Sequence, residues 1–135
     1  MVKKIKKKKA KKGGRGRHPS AGPFLAKLDA IELELRVLGW WRSEPVDPFA
    51  HLTPDEPRSY LDASSFEEWL QFVFLPGARG FARGGTLPAT SHVGDMARQH
   101  YDYQTNVAEA QTLIQLLSAF DEMVEAHHAR RGGPP

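Results

Sequence analysis

Residues 65–76 read SFEEWLQFVFLP, and this stretch combines a helix start with a wide apolar face. Ser65 and Glu68 have the spacing of a capping box, in which the serine hydroxyl accepts from the Glu68 N–H and the Glu68 carboxylate accepts from the Ser65 N–H. Pro76 lacks an N–H, so the helix is expected to kink or bend there and to continue to about Ala82. The apolar residues recur at helical spacing: Phe66, Trp69, Leu70, Val73 and Phe74.

The pattern therefore predicts a helix over 65–82 that buries Trp69 in the core. Trp69→Ala is expected to cost about 3–5 kcal/mol, which is comparable with the whole stability of a small domain.

The rest of the chain carries the same 3.6-residue period, which predicts helices over 22–38, 91–101 and 106–128. Gly39 fits the left-handed residue that ends a helix, and Asn106 is a cap candidate for the last one. No window has the alternation and β-branched content of a strand. We therefore expect an all-α protein, a single four-helix up-and-down bundle over residues 20–128.

The composition excludes several classes of protein. The chain has 135 residues and no cysteine, so it has room for one domain and lacks disulfides, thiol catalysis and cysteine-ligated zinc. It contains no run of about 18 apolar residues to span a membrane, and its basic start is not followed by the apolar stretch of a secretion signal. A cytoplasmic location without membrane contact is the expectation.

Charge divides the sequence into a basic leader and an acidic body. Residues 1–17 contain eight lysines, two arginines and no acid, a net charge of +10, whereas the remaining chain carries −7. Residues 1–19 have too few apolar side chains to offset the entropy of ordering, so we predict a disordered tail there and a second one over 129–135.

The basic leader is expected to bind phosphate backbones without reading base sequence. Its candidate nucleic-acid contacts are Lys3, Lys4, Lys6, Lys7, Lys8, Lys9, Lys11, Lys12, Arg15 and Arg17. The alternatives are a leader that folds back on the acidic body, a solvated segment that raises solubility, and a start codon assigned too early.

Residues 39–62 contain four prolines and form a long connection between the first two helices. A connection of this length in a small domain often has a function. The adjacent Trp40 and Trp41 cannot both face the core, so one of them is a candidate docking residue at the surface. The full set of candidate groove or docking residues is Trp40, Trp41, Asp62, Glu68, Trp69 and Gln71.

From about residue 24 to residue 125 the chain resembles the YqcC-like family, small bacterial proteins of unassigned molecular function. The resemblance is carried by LGWW at 38–41, YLD at 60–62, the EWLQ block with its following proline at 68–76, and GGTLP at 84–88. It implies an all-helical up-and-down bundle. In some bacteria the family member is encoded beside a tRNA pseudouridine synthase, and some descriptions borrow that enzyme's name.

The sequence departs from the family pattern at two places. Gly77 follows Pro76 where the family commonly has an arginine, so an anion contact at this place depends on Arg79 as a substitute. The basic leader lies outside the family pattern and is particular to this protein.

No catalytic constellation is recognisable in the sequence. Pseudouridine synthesis needs an aspartate beside a flipped base, and we interpret Asp62 as a loop cap and Asp121 as a solvated or N–H-accepting acid. His92 and His100 are eight residues apart and lack the i, i+4 spacing of paired helical metal ligands. We therefore expect neither a metal nor another cofactor.

Two functions from different classes follow. The first is a non-enzymatic interaction or accessory module that docks a protein partner, linked to tRNA modification through the family's genomic neighbours, with a tail that adds non-specific RNA affinity. The alternative is a small enzyme or catalytic subunit acting on RNA or a small molecule through Asp62, Glu68 and Gln71. Convergence of those three side chains in a pocket favours the enzyme, and an exposed apolar patch favours docking.

A third hypothesis is a nucleic-acid binder driven by its tail, with the helices as a scaffold. If the helical body itself binds RNA, the first residues to mutate are Arg79, Arg83, Arg98 and the candidate groove aromatics.

Overall fold

The computed structural model describes residues 19–131, and these contain four helices and no strand. Helix α1 spans Ala21–Val37. Helix α2 covers 66–84 in three consecutive parts: Phe66–Trp69, a π turn at Leu70–Phe74, and Leu75–Gly84. Helix α3 joins Val93–Arg98 to a π turn at Gln99–Gln104, and helix α4 spans Gln111–Arg131 after a 3₁₀ turn at Ala108–Ala110. The predicted all-α class is confirmed for this part of the chain.

The ends of α1 and α2 follow from glycines in the left-handed region. Gly39 has φ +79°, and the Trp40 N–H donates to the Leu35 carbonyl at 2.9 Å. Gly85 has φ +71° and plays the same role after α2. Glycine adopts this conformation at no steric cost, and the returning hydrogen bonds satisfy carbonyls that the helix end leaves open. The predicted stop of the first helix at Gly39 is therefore confirmed.

The last helix differs from its predicted bounds of 106–128 at both ends. Asn106 has φ +55°, a left-handed conformation, and a 3₁₀ turn at Ala108–Ala110 separates it from α4, which begins at Gln111. The helix continues to Arg131, so three residues of the predicted 129–135 tail are helical. Residues 1–18 and 132–135, on which the rest of the tail predictions fall, lie outside the described residues.

Pro76 bends the hydrogen-bond pattern of α2 without ending the helix. The Leu75 N–H donates to the Leu70 carbonyl, five residues back, which is the bond of a π turn. This wider turn directly before the proline leaves room for its ring, which in a regular α-helix contacts the carbonyl four residues back. Because a π turn adds a residue to the turn, it also rotates the side chains around it, and Val73, predicted to face the core, is 36% exposed.

The core lies where α4 packs on α1 and α3, and where α1 packs on the Leu75–Gly84 part of α2. The apolar residues of α1 and α4 that follow the predicted 3.6-residue period are mostly buried there, and Leu38 and Val107, just outside these helices, are partly covered. Each large apolar side chain removed from water in this way stabilises the fold by about 1.5–3 kcal/mol. The fully buried large side chains are Leu28, Ile31, Leu35, Leu70, Leu75, Tyr101, Leu113, Ile114, Leu117 and Val124.

Helix α3 is held against α4 by Asp121. The Asp121 carboxylate accepts from the Val93 N–H at 3.1 Å, from the Gly94 N–H at 2.8 Å and from the Ser91 hydroxyl. It therefore caps the start of a helix from which it is distant in sequence. Asp121 is thus an N–H-accepting acid, one of the two interpretations that the sequence offered. Burial raises the pKa of this carboxyl group, although these hydrogen bonds oppose the shift.

None of the helices described over 19–131 combines the length and the apolar character needed to cross a membrane.

Candidate functional site: a polar cleft and an apolar groove

The connection after α1 is fixed to α2 by Gln71. The Gln71 side-chain amide accepts from the Arg42 N–H at 2.8 Å and donates to the Arg42 carbonyl at 2.9 Å. Gln71 is 7% exposed, so its amide and the Arg42 backbone satisfy each other where water is largely excluded. This partner of Gln71, Arg42, lies 29 residues earlier in the chain, so no local pattern indicates the pair.

Glu68 holds the side chain of the same residue. Its carboxylate accepts from the Arg42 guanidinium at 2.5 Å and from the Ser64 hydroxyl. The Glu68 N–H donates to the Ser65 Oγ at 3.1 Å, which is the first half of the predicted capping box. The second half is replaced by the bonds to Ser64 and Arg42. The Ser64 hydroxyl, and then Arg42, lower the pKa of the Glu68 carboxyl group against the opposing effect of burial.

Asp62 has a different role from these two residues. Its carboxylate accepts from the Ser59 N–H at 2.9 Å and from the Ser59 hydroxyl at 2.8 Å, and these bonds lower its pKa. The Asp62 carbonyl oxygen lies 2.9 Å from the His51 Nε2. The structure thus brings Glu68 and Gln71 together on Arg42, while Asp62 closes a turn within the connection.

Beside Arg42 lies a polar cleft of about 490 Å³. Trp40 and Trp41 both line it, and the ring of each contacts another side chain. Trp40 stacks on Tyr101 with ring centroids 5.3 Å apart, and the Arg36 guanidinium lies 4.5 Å from the ring centroid of Trp41. Both tryptophans are half-buried. The polar cleft is lined by Gly39, Trp40, Trp41, Arg42, Ser43, Ser65, Glu67 and Glu68.

Glu67, Tyr101 and His100 form a cluster at the polar cleft that sequence reasoning missed. The buried Tyr101 hydroxyl donates to the Glu67 Oε2 at 2.6 Å, and the His100 Nε2 lies 3.9 Å from the same oxygen. Burial, and then Glu67, raises the pKa of Tyr101 far above its usual range, so the hydroxyl keeps its proton. No spacing along the chain indicated that Glu67 lies beside Tyr101.

An apolar groove of about 380 Å³ runs between α2, the segment 85–92 and α3. Trp69 lines this groove and is half-buried, stacking on Phe66 and Phe74. The prediction that Trp69 belongs to the buried core is therefore only partly correct. Its neighbour Phe66 is the aromatic residue that is buried there. The apolar groove is lined by Trp69, Val73, Phe74, Gly77, Ala78, Phe81, Leu87, Pro88, Thr90, Ser91, His92, Val93, Met96 and Phe120.

The arginines considered for RNA contact differ in their surroundings. Arg79 is paired with Asp29 at 3.0 Å and Glu32 at 2.7 Å, so it binds α1 and is not free for an external anion. Arg98 lies 3.3 Å from Asp95. Arg83 is exposed. The ten candidate contacts of the basic leader lie outside the described residues.

Within residues 19–131, no three histidine, aspartate or glutamate side chains converge in a way that suits a metal ion. His92 Nδ1 lies 3.8 Å from Asp95, and both side chains are exposed. His100 lies instead beside Glu67.

Comparisons with known proteins concern most of this helical region. A family model described as tRNA pseudouridine synthase C matches residues 24–123. An uncharacterised protein of Haemophilus influenzae is 31% identical over 100 residues, which cover 71% of this chain and 87% of that protein. No solved structure matches the chain.

Proposed function

The chain belongs to the YqcC-like family, whose model is described as tRNA pseudouridine synthase C, and from this premise we propose that it is a non-enzymatic accessory protein of tRNA modification. In this proposal it docks a protein partner, and an RNA-modifying enzyme is the first partner to test. The observation that carries the proposal is the apolar groove.

The apolar groove supports docking because it exposes large apolar side chains side by side. Phe81 is 51% exposed and Val73 is 36% exposed, and Trp69 lies beside them in the same groove. Covering such a surface removes apolar area from water, which is the main favourable term in protein association. Aromatic side chains in a pocket are also the residues that most often dominate binding energy.

The contacts of the three polar candidates favour docking over the enzyme alternative. Glu68 and Gln71 are both engaged with Arg42, and Asp62 is engaged with Ser59. A catalytic carboxylate needs to reach a substrate atom, whereas these side chains make hydrogen bonds that hold the connection between α1 and α2.

We further propose that the four helices form an up-and-down bundle and that the basic leader adds non-specific RNA affinity in the cytoplasm. The charge distribution supports the second point, because a body of net charge −7 is repelled by phosphate whereas a segment of +10 attracts it.

Docking can be tested with the purified full-length protein and the tRNA pseudouridine synthase of the same organism by isothermal titration. Phe81→Asp places a charge in the apolar groove and is expected to weaken binding by about tenfold or more. Tyr103→Asp is the matched control, because Tyr103 is 70% exposed and does not line the groove. Equal binding by both variants would contradict docking through the groove. Conversion of uridine to pseudouridine in a tRNA transcript by the chain alone would favour the enzyme alternative.

The leader is tested by tRNA binding of a full-length variant in which its ten basic residues are replaced by glutamine. We expect this variant to lose most binding at about 50 mM salt, and wild-type binding to fall steeply as salt rises toward about 200 mM. Retained, salt-insensitive affinity in the variant would assign RNA binding to the helical body, with Arg83 as the first residue to mutate.

A further inference from the structure

The polar cleft has features that docking through the apolar groove does not use. It contains two carboxylates, those of Glu67 and Glu68, beside two tryptophans and the guanidinium of Arg42. We propose that the polar cleft binds a cationic side chain, the guanidinium of an arginine or the ammonium of a lysine in a basic peptide segment. This site shares no lining residue with the apolar groove.

The charges of the polar cleft do not balance internally. Glu68 is compensated by Arg42 at 2.5 Å. Glu67 accepts a hydrogen bond from the hydroxyl of Tyr101, and this contact brings no positive charge to the carboxylate. His100, with Nε2 3.9 Å from Glu67 Oε2, offsets that charge only when its ring is protonated. With a neutral His100, the cleft therefore carries one uncompensated negative charge.

Glu67 also has an oxygen available for a ligand. Its contacts with Tyr101 and His100 both involve Oε2, and no hydrogen bond to Oε1 is found in the described region. The Glu67 side chain is 25% exposed, so this oxygen is partly withdrawn from water without being inaccessible. A charge-assisted hydrogen bond is stronger in such a place than at a fully exposed one.

The tryptophans suit the same ligand. Indole is the ring that attracts cations most strongly, through the negative potential of its face. The chain already binds cations here in two ways, once on an indole ring and once on a carboxylate. The Arg36 guanidinium lies 4.5 Å from the Trp41 ring centroid, and the Arg42 guanidinium binds Glu68. The volume of about 490 Å³ falls within the range of small-ligand sites.

The proposal is tested by NMR titration of the full-length protein, with the indole N–H signals of Trp40 and Trp41 as the readout. The probe is N-acetyl-arginine methylamide, and its neutral isostere, N-acetyl-citrulline methylamide, is the matched ligand. The arginine probe is expected to bind about tenfold more tightly than the citrulline probe, because only the guanidinium gains a charge-assisted bond. Equal binding of both probes would overturn the proposal without the need for any variant.

Glu67→Gln removes the negative charge and keeps an acceptor for the Tyr101 hydroxyl. We expect it to weaken binding of the arginine probe about tenfold. Glu109→Gln is the matched control, because Glu109 is an exposed acid outside the cleft, and it should bind as wild type does. Wild-type affinity in a folded Glu67→Gln protein would contradict the assignment of the site.

Two sources could supply the cation, the chain's own leader or another protein. In the full-length variant whose ten leader cations are glutamine, tighter probe binding indicates that the leader occupies the cleft and competes with the probe. Unchanged binding indicates a cation from another chain. Phe81→Asp should leave probe binding unchanged, so failure of groove docking and failure of this proposal are distinguishable.

Discussion

The two halves of helix α2 differ in how much of their surface other parts of the chain cover. In the first half, 66–74, the polar residues Glu67, Glu68 and Gln71 all bind other parts of the chain. In the second half, Leu75–Gly84, Phe81 lies open to solvent, and a methyl group added at Gly80 would meet no neighbouring atom within 4 Å. The first half therefore fixes the connection after α1, whereas the second half packs on α1, partly through Arg79, and leaves Phe81 at the surface.

The largest expected difference between the halves concerns their phenylalanines. Phe66 is 3% exposed and contacts Tyr60, Trp69 and Tyr101, so Phe66→Ala should lower the free energy of unfolding by about 3–5 kcal/mol. Phe81→Ala removes a side chain that is half in water and should cost less than about 1 kcal/mol. Urea denaturation measures both. Similar losses in the two variants would show that the halves contribute alike to the core.

The bond between Gln71 and Arg42 gives the next largest effect. Gln71→Leu replaces the amide side chain with an apolar one of similar size. The Arg42 N–H and carbonyl then lose their partner, at a cost of about 2 kcal/mol. Gln115→Leu is the control, since Gln115 is exposed on α4, and it should stay within about 0.5 kcal/mol of wild type. If both variants unfold at the same urea concentration, Gln71 does not hold the connection.

The features that could be predicted from the sequence are those that depend on residues close together in the chain. The Ser65 cap, the Gly39 stop and the stripes of α1 and α4 are set by local backbone chemistry and by periodicity, and the structure contains them. Asn106 was predicted wrongly as a cap because its own left-handed φ was not visible in the pattern.

The candidate site depended on pairs that are distant in sequence. Gln71 was a candidate docking residue, but its partner lies 29 residues away and no period links the two. Trp69 was expected in the core because the pattern assumed a regular α-helix, whereas the π turn at Leu70–Phe74 changes which side chains around it face inward. Glu67 beside Tyr101 could not be found because the two helices had no predicted register.

Acidification should lower the stability of the fold, because it protonates Glu68 in the first half of α2. Its pKa is lowered in the folded protein by the Ser64 hydroxyl and by Arg42, so the stability it contributes is present above the ordinary glutamate pKa and is lost as pH falls through the folded value. Wild type should therefore lose more thermal stability than Glu68→Gln between about pH 6 and pH 3. The comparison of the two melting curves isolates Glu68, because the other acids are shared. Parallel pH profiles would contradict this role of the ionised carboxylate.

The smallest effect is expected in the second half of α2, with the opposite sign. Gly80 lies in the helix interior with nothing within 4 Å of a Cβ, so Gly80→Ala adds no clash and should stabilise the protein by about 0.5–1 kcal/mol. Gly94→Ala is the control that shows what a required glycine does. Its Cβ would lie 2.6 Å from the Ser118 Cα and 2.8 Å from the Ser118 N, so α3 and α4 would have to separate, at a cost of about 1–3 kcal/mol. Thermal melts of the two variants should shift in opposite directions.

The same Gly80→Ala variant also tests the proposed partner. Since nothing within residues 19–131 requires glycine at position 80, a variant that is more stable yet binds the proposed partner less well would indicate that the partner approaches the backbone closely. A destabilised Gly80→Ala protein would instead show that this face is already packed, and the contrast between the two halves of α2 would fail.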